Sequence, residues 1–179
     1  MARAGVYARR MNRVRVRAWA GTIVFLAIAP GVVAGLVPWL ITGWRSSWPS
    51  GRLWPVTIVA AIIILSGVVV LLDAFIRFAR ADGTPAPPVP TAHLVVVGPY
   101  RHVRNPMYVA VLAIILGQAL LFASWATVLY AGLAFLAVLL FVRFYEEPTL
   151  ERTYGDAYRE YERNVRAWMP RLRPWRGAD

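Results

Sequence analysis

The sequence predicts an all-α protein, a polytopic membrane helix bundle with about four transmembrane helices and an amphipathic helix on the cytoplasmic side near its C-terminus. Three observations carry this reading. Hydrophobic residues make up 59% of the 179 positions, and the mean hydropathy is +0.52, too apolar for an ordinary soluble domain. The apolar residues gather into four runs separated by polar stretches. All 20 basic residues are arginines, giving a formal net charge of +11, and they are spread unevenly around those runs.

The first run extends from about Ala18 to Ile41, the second from Trp54 to Ile76, the third from Tyr108 to Phe122 and the fourth from Trp125 to Phe144. A helix needs about 20 apolar residues to cross the hydrocarbon core. Runs one, two and four have that length, and the third is short. Only Ala123 and Ser124 separate the third from the fourth, which predicts a tight helical hairpin. The first run follows six arginines but is too long for a signal-peptide core and ends in no small-residue cleavage site, so it reads as a retained anchor. Pro30 or Pro38 should bend or break it.

Arginine counts set the expected orientation. Six precede the first run, four lie between the second and third (Arg77, Arg80, Arg101, Arg104) and eight lie from Arg143 onward, whereas only Arg45 and Arg52 fall in the first loop. With both termini and the 77–106 loop in the cytoplasm, 18 of 20 arginines are inside, as the positive-inside rule requires. Trp39, Trp44, Trp48 and Trp54 then form an outer interfacial belt. The whole chain, 1–179, reads as one domain of a multi-pass cell-membrane protein, with helices in 1–76 and the elaborated segments in 77–179.

The composition excludes several chemistries. With no cysteine there is no disulfide framework, thiolate metal site or cysteine nucleophile. His93 and His102 are the only histidines, no HExxH-like spacing occurs, and no metal is expected. The arginines flank apolar runs rather than forming one long patch, so their expected partner is the anionic lipid of a membrane face and not nucleic acid.

The cytoplasmic side carries the informative stretches. The prolines of "ADGTPAPPVPTA" favour extended backbone, and the short "HLVVV" that follows leaves backbone groups available to a ligand. In "GPYRHVRNPMY", residues 98 to 108, Gly98 and Pro99 make a turn, Asn105 suits an N-cap and Pro106 suits the first helical position. A helix starting there, with Arg101 and Arg104 beside its positive dipole end, makes an anion site. The fourth run returns to the same face and ends in "FVRFYEEP", which brings Glu146 and Glu147 near Arg104. One pocket walled by Tyr100, Tyr108 and Tyr145 would then hold both an anionic and a cationic group. Taken alone, Asn105 and Pro106 read as a plain cap, Asp73 as a partner for Arg77, and both histidines as polar surface residues. Beyond Phe144, residues Tyr154, Tyr158, Tyr161, Val165 and Trp168 recur at steps of four and three. They form one face of a helix, read as a packing face, at the membrane surface or over the loop.

Over roughly residues 82 to 170, the ordered blocks "LVVVGPYRHVRNPMY", "EEPTLERTYGDAYREY" and "VRAWMP" resemble the isoprenylcysteine carboxyl methyltransferase family, itself similar to the phospholipid N-methyltransferases. The resemblance implies a helical membrane fold and S-adenosylmethionine (SAM) held on the cytoplasmic side. It implies cofactor contacts at His93, Leu94, Val95, Tyr100, Arg104, Asn105, Pro106, Tyr108 and Glu146, with Glu147 as an alternative to Glu146. The family's "RHPxY" histidine is Asn105 here, which cannot take a proton near neutral pH. The activity so implied is methylation of a lipophilic acceptor from the bilayer, at a carboxyl or hydroxyl oxygen, with Arg143 and Glu146 as the catalytic pair and Arg143 holding an anionic acceptor. Phospholipid N-methylation, a nicotinamide-dependent membrane reductase and a non-enzymatic lipid-binding protein are the alternatives. The acceptor is expected to reach SAM between the hairpin and the second helix, past Ala110 and Ala113.

Overall fold

A computed structural model describes residues 28–48, 54–80 and 94–177. They form five helices and no strand among the described residues: α1 (Ile28–Thr42), α2 (Trp54–Arg80), α3 (Pro106–Phe122), α4 (Trp125–Tyr154) and α5 (Asp156–Asn164). Two stretches, Trp54–Arg77 and Trp125–Tyr154, are long and apolar enough to cross a bilayer, whereas α1 and α3 are shorter apolar helices. Large apolar side chains such as Leu65, Val69, Leu129 and Leu133 stand exposed along α2 and α4, as lipid-facing surfaces require.

The closest helix pair is α2 with α3, antiparallel, and small residues make it possible. Ala60 and Ala74 are fully buried on α2, with Gly67 midway between them. A Cβ on Gly67 would meet Ile114 Cγ1 at 2.8 Å and the Ala110 carbonyl at 2.9 Å, and one on Gly117 would meet Ile64 Cγ1 at 2.6 Å. Without hydrophobic drive between helices in lipid, such close backbone approach supplies the dispersion that holds them. Ala110 is 2% exposed in this seam. The acceptor route expected past Ala110 is therefore closed by packing at that residue.

The hairpin forms as expected. Ala123 takes a left-handed conformation that ends α3, and the Ser124 hydroxyl accepts from the Thr127 amide at 3.2 Å to cap α4. The segment after α1 satisfies the last carbonyls of α3, with Ser47 N–H donating to Phe122 and Trp48 Nε1 to Leu120. The belt residues Trp39, Trp44, Trp48 and Trp54 are all exposed.

Two π-helical turns interrupt the helices, and each lies just ahead of a proline. In α1, Val32–Leu36 is π-helical and Pro38 follows. A proline has no N–H to give the preceding turn, and side chains take up carbonyls there: Tyr130 Oη donates to Val33 at 2.8 Å and Gln118 Nε2 to Ala34 at 2.6 Å. These bonds tie α1 to α4 and α3. In α4 the turn is Val142–Glu146, with Pro148 beyond it. The helix of the fourth run does not end within "FVRFYEEP" as expected. Pro148 is tolerated in the first turn after the bulge, so the helix continues to Tyr154.

The C-terminal helix is also shorter than its spacing predicts. α5 stops at Asn164, Val165 is extended, and Trp168 lies in an irregular strap beyond it. Tyr158, Tyr161 and Val165 do form a packing face, buried against Leu94, Val96, Leu150, Tyr154 and Trp175.

Candidate functional site, a cleft headed by Glu146 and Tyr108

The strap orders the 98–105 segment. Gly98 has φ +56, and a Cβ there would run into the guanidinium of Arg77; only glycine suits both the conformation and the contact. Arg77 is itself held by Asp73 at 2.8 Å, as the sequence reading expected. A 3₁₀ turn over Gly98–Arg101 then buries Tyr100. From the other side the strap pairs backbone to backbone: Arg104 N–H donates to Arg166 at 2.9 Å, Arg171 N–H to His102 at 2.9 Å and Trp175 N–H to Arg101 at 2.9 Å. Tyr161 Oη donates to the Tyr100 carbonyl at 2.7 Å. His102 is not simply a surface residue, because its Nδ1 donates to the Arg171 carbonyl at 2.8 Å.

Asn105 occupies the cap position, and its carbonyl accepts from the Val109 amide. Its side chain, however, makes no cap bond. The carboxamide instead donates to the Ala167 carbonyl at 3.2 Å. The expected side-chain cap is thus absent, and the side chain tethers the strap instead.

A cleft opens under this loop. Its lining includes Tyr100, Arg104, Asn105, Pro106, Tyr108 and Glu146 at the polar head, and its apolar walls include Pro30 and Val33 of α1, Leu71 and Phe75 of α2, Val111 of α3 and Val138 of α4. The enclosed volume is about 160 Å³, and about 760 Å³ with the open mouth. Tyr108 Oη donates to Glu146 Oε2 at 2.9 Å. Trp168 packs beside this end, its ring 6.5 Å from that of Tyr108 and edge-on to Phe135 at 5.3 Å.

Arg104 is more heavily engaged than expected. Its Nη1 lies 2.9 Å from Glu147 Oε1 and 2.9 Å from Glu162 Oε1, and it donates to Tyr158 Oη at 3.1 Å. Burial alone would lower its pKa, but the Tyr158 phenol and the Glu147 and Glu162 carboxylates outweigh that and hold it raised. Its Nε is buried with no hydrogen-bond partner.

Six of the expected contact residues, Tyr100, Arg104, Asn105, Pro106, Tyr108 and Glu146, therefore line one cleft. Four others do not. Arg143 is 71% exposed and pairs with Glu147 at 3.4 Å; Val138, Val142 and Glu146 follow the inner face of α4, and one residue past Val142 the helix has already turned outward. Glu147 lies one step beyond Glu146 and is turned to Arg104. Leu94 packs under the tyrosines of α5, and Val95 is not among the lining residues. Tyr145, expected as a wall, is 48% exposed and stacks on Phe141 at 5.2 Å. His93 lies outside the described residues. Sequence reasoning missed Glu162, Ala167 and the apolar walls. The "VRAWMP" block was the signal for Ala167 and Trp168, although it was read there as part of a helix.

The described helices thus place a carboxylate and phenols at the polar head of an otherwise apolar cleft. The sequence model of the Phospholipid methyltransferase family matches residues 56–157, more than half of the chain, and the chain belongs to that family. Membership implies a membrane methyltransferase acting on lipid. This family and the isoprenylcysteine carboxyl methyltransferases form one group of membrane methyltransferases, so the motif resemblance holds at the level of that group. No curated protein and no solved structure matches the chain.

Proposed function

We propose that the chain is a SAM-dependent methyltransferase whose acceptor is a lipophilic amine drawn from the bilayer. The observation that carries this reading is the Tyr108–Glu146 pair, a carboxylate positioned at the head of a cleft whose other walls are apolar. The residues present suit SAM in chemical kind: Glu146 for its ammonium or ribose hydroxyls, the unpartnered Arg104 Nε for a carboxylate, and tyrosine faces for the sulfonium or adenine. Members of the family use SAM as methyl donor. SAM, when bound, supplies a methyl whose bond to sulfur breaks as the acceptor's lone pair takes it, so the chain needs to provide alignment, charge complementarity and dryness.

An amine arrives as an ammonium ion and must shed a proton before its lone pair is free. Glu146 is the acceptor for that proton, and Tyr108 fixes the carboxylate while leaving one oxygen uncommitted. Trp168 and Tyr100 keep water from the cleft head. Nitrogen is favoured over oxygen because Arg143, the residue expected to hold an anionic acceptor, is on the exposed side of α4, and the free Nε of Arg104 is assigned to the carboxylate of SAM. Methylation of a carboxyl or hydroxyl, favoured by the motif resemblance, is the second reading.

Incubation of the pure protein with methyl-labelled SAM and a lipid extract tests this directly. The expected product carries label on a headgroup amine. A base-labile methyl ester would select the second reading. Thermal stabilisation by NADPH but not by SAM or S-adenosylhomocysteine would overturn both.

For topology, we infer a multi-pass membrane protein with both termini in the cytoplasm, supported by the 18 arginines on that side. The chain has no cysteine, so single cysteines at Ser47 and Gly177 can be labelled cleanly. They should react from opposite faces, and reaction from the same face would refute the arrangement.

A further inference from the structure

The tyrosine face of α5 is spent on internal packing, so α5 is not the segment that meets the membrane surface. The strap after it has the required chemistry. Trp168 contacts Phe135, which lies inside the long apolar stretch of α4, and Tyr108 in the first turn of α3. The strap therefore descends to the level where the helices leave the bilayer. At that level its next apolar residues have no cover: Met169 is 67% exposed and Leu172 99% exposed, and Phe144 of α4 is 76% exposed. Arg166, Arg173 and Arg176, all exposed, punctuate the strap, and no acidic residue lies between Arg163 and Gly177. Arg171 is turned inward, with Nη1 donating to the Asn164 carbonyl at 2.6 Å.

We propose that this strap docks on the anionic cytoplasmic surface of the bilayer, with Met169 and Leu172 seated among the headgroups and the three exposed arginines on lipid phosphates. Apolar tips alternating with cations are the pattern that binds an anionic interface by burial and by charge together. Docking also fixes the backbone that tethers Asn105 and Arg104, so the lipid surface helps hold the cleft's roof. The proposal rests on the placement of the strap and stands whether the methyl acceptor is a nitrogen or an oxygen.

The test uses the full chain with a nitroxide on Leu172→Cys, and separately on Met169→Cys, reconstituted in phosphatidylcholine with and without phosphatidylglycerol. With anionic lipid, both labels should collide with oxygen more than with an aqueous nickel chelate, the signature of interfacial depth. Each arginine near an anionic surface is worth roughly fivefold in partition, so Arg173→Gln with Arg176→Gln should reduce the seated fraction at least about tenfold. Labels that remain equally open to the nickel chelate in anionic vesicles would overturn the proposal. So would equal seating in pure phosphatidylcholine, or spin–spin broadening between labels, which would mark a second copy of the chain as the occupant.

Discussion

Tyr108, in the first turn of α3, donates a 2.9 Å hydrogen bond to Glu146, in the π-helical turn of α4, joining residues 38 apart in sequence across the head of the cleft. The bond holds one carboxylate oxygen and leaves the other to a ligand. Tyr108→Phe keeps the wall and removes the donor. A hydrogen bond to a charged group is worth about 1.5–3 kcal/mol, so SAM affinity should fall roughly tenfold or more, with the fold retained. Calorimetric titration measures it. Unchanged affinity would show that the carboxylate does not depend on the phenol.

Arg104 and Glu162 should separate structure from binding. The Arg104 side chain is 12% exposed and Glu147 14%, so Arg104→Ala leaves a largely buried carboxylate with only its longer, 3.4 Å contact to the exposed Arg143. Removing one partner of such a pair costs about 3 kcal/mol or more, and a lower unfolding temperature should accompany any loss of SAM binding. Glu162, at 41% exposure, is a rim partner, and Glu162→Gln should cost less than about 1 kcal/mol. Thermal unfolding of both variants in detergent checks the order. Equal stability of Arg104→Ala and wild type would make Arg104 a ligand-binding residue with no structural duty.

Gly67 tests the α2–α3 seam. A Cβ at Gly67 meets a backbone carbonyl at 2.9 Å, which cannot swing away, so Gly67→Ala should destabilise by about 1–3 kcal/mol through overpacking. Gly132, mid-helix in α4, has nothing within 4 Å of an added Cβ, and Gly132→Ala should be neutral or stabilising by up to about 1 kcal/mol. Chemical unfolding in mixed micelles gives both values. Destabilisation of similar size at the two sites would remove the case for a close-packed seam.

The C-terminal module should loosen at alkaline pH. Burial pushes the Tyr158 phenol up to about 12, and Tyr161 is raised further for the same cause. An unfolded tyrosine titrates near about 10. Since the folded values lie above the unfolded one, the stabilisation is complete below about pH 10 and is lost as pH climbs through about 12. Emission from Trp175, whose ring is 5.8 Å from that of Tyr161, reports the change. Tyr158→Phe should move the transition upward. Phenolate absorbance rising for all eight tyrosines together near the unfolded value would contradict it.

The parts of this arrangement legible in the sequence are those with local signals. Run lengths located α2, α3 and α4, the two-residue Ala123–Ser124 link gave the hairpin, and the ordered motif blocks brought Tyr100, Arg104, Tyr108 and Glu146 to one place. Two kinds of feature were not legible. A π-helical turn changes the helical phase by one residue, so which of Glu146 and Glu147 faces the cleft does not follow from spacing. The cleft walls Leu71, Phe75, Val111 and Val138 sit in runs that are apolar all round, because lipid and protein neighbours ask for the same side chains, and no periodicity marks the inner face. Trp168 kept the helical spacing of the α5 face while belonging to a different contact.

The walls nevertheless decide which acceptors fit. Val111 and Val138 line the cleft beneath its polar head, where the chain of a lipophilic acceptor has to pass if its reacting atom is to reach Glu146. Ala113 is not among the lining residues, and Ala110 is sealed against α2. A phenylalanine at Val138 would fill space the acyl chain needs while leaving Tyr108, Glu146 and Arg104 untouched. Val138→Phe should therefore slow long-chain acceptors at least about tenfold, since each CH₂ excluded from an apolar site forfeits about 0.8 kcal/mol, and should leave SAM affinity and turnover of short, soluble acceptors near the wild-type level. Ala113→Phe, aimed at the opening expected from sequence alone, should change chain-length preference little. Comparing acceptors of graded length at saturating SAM distinguishes the two. If Ala113→Phe discriminates by chain length and Val138→Phe does not, the acceptor travels outside this cleft.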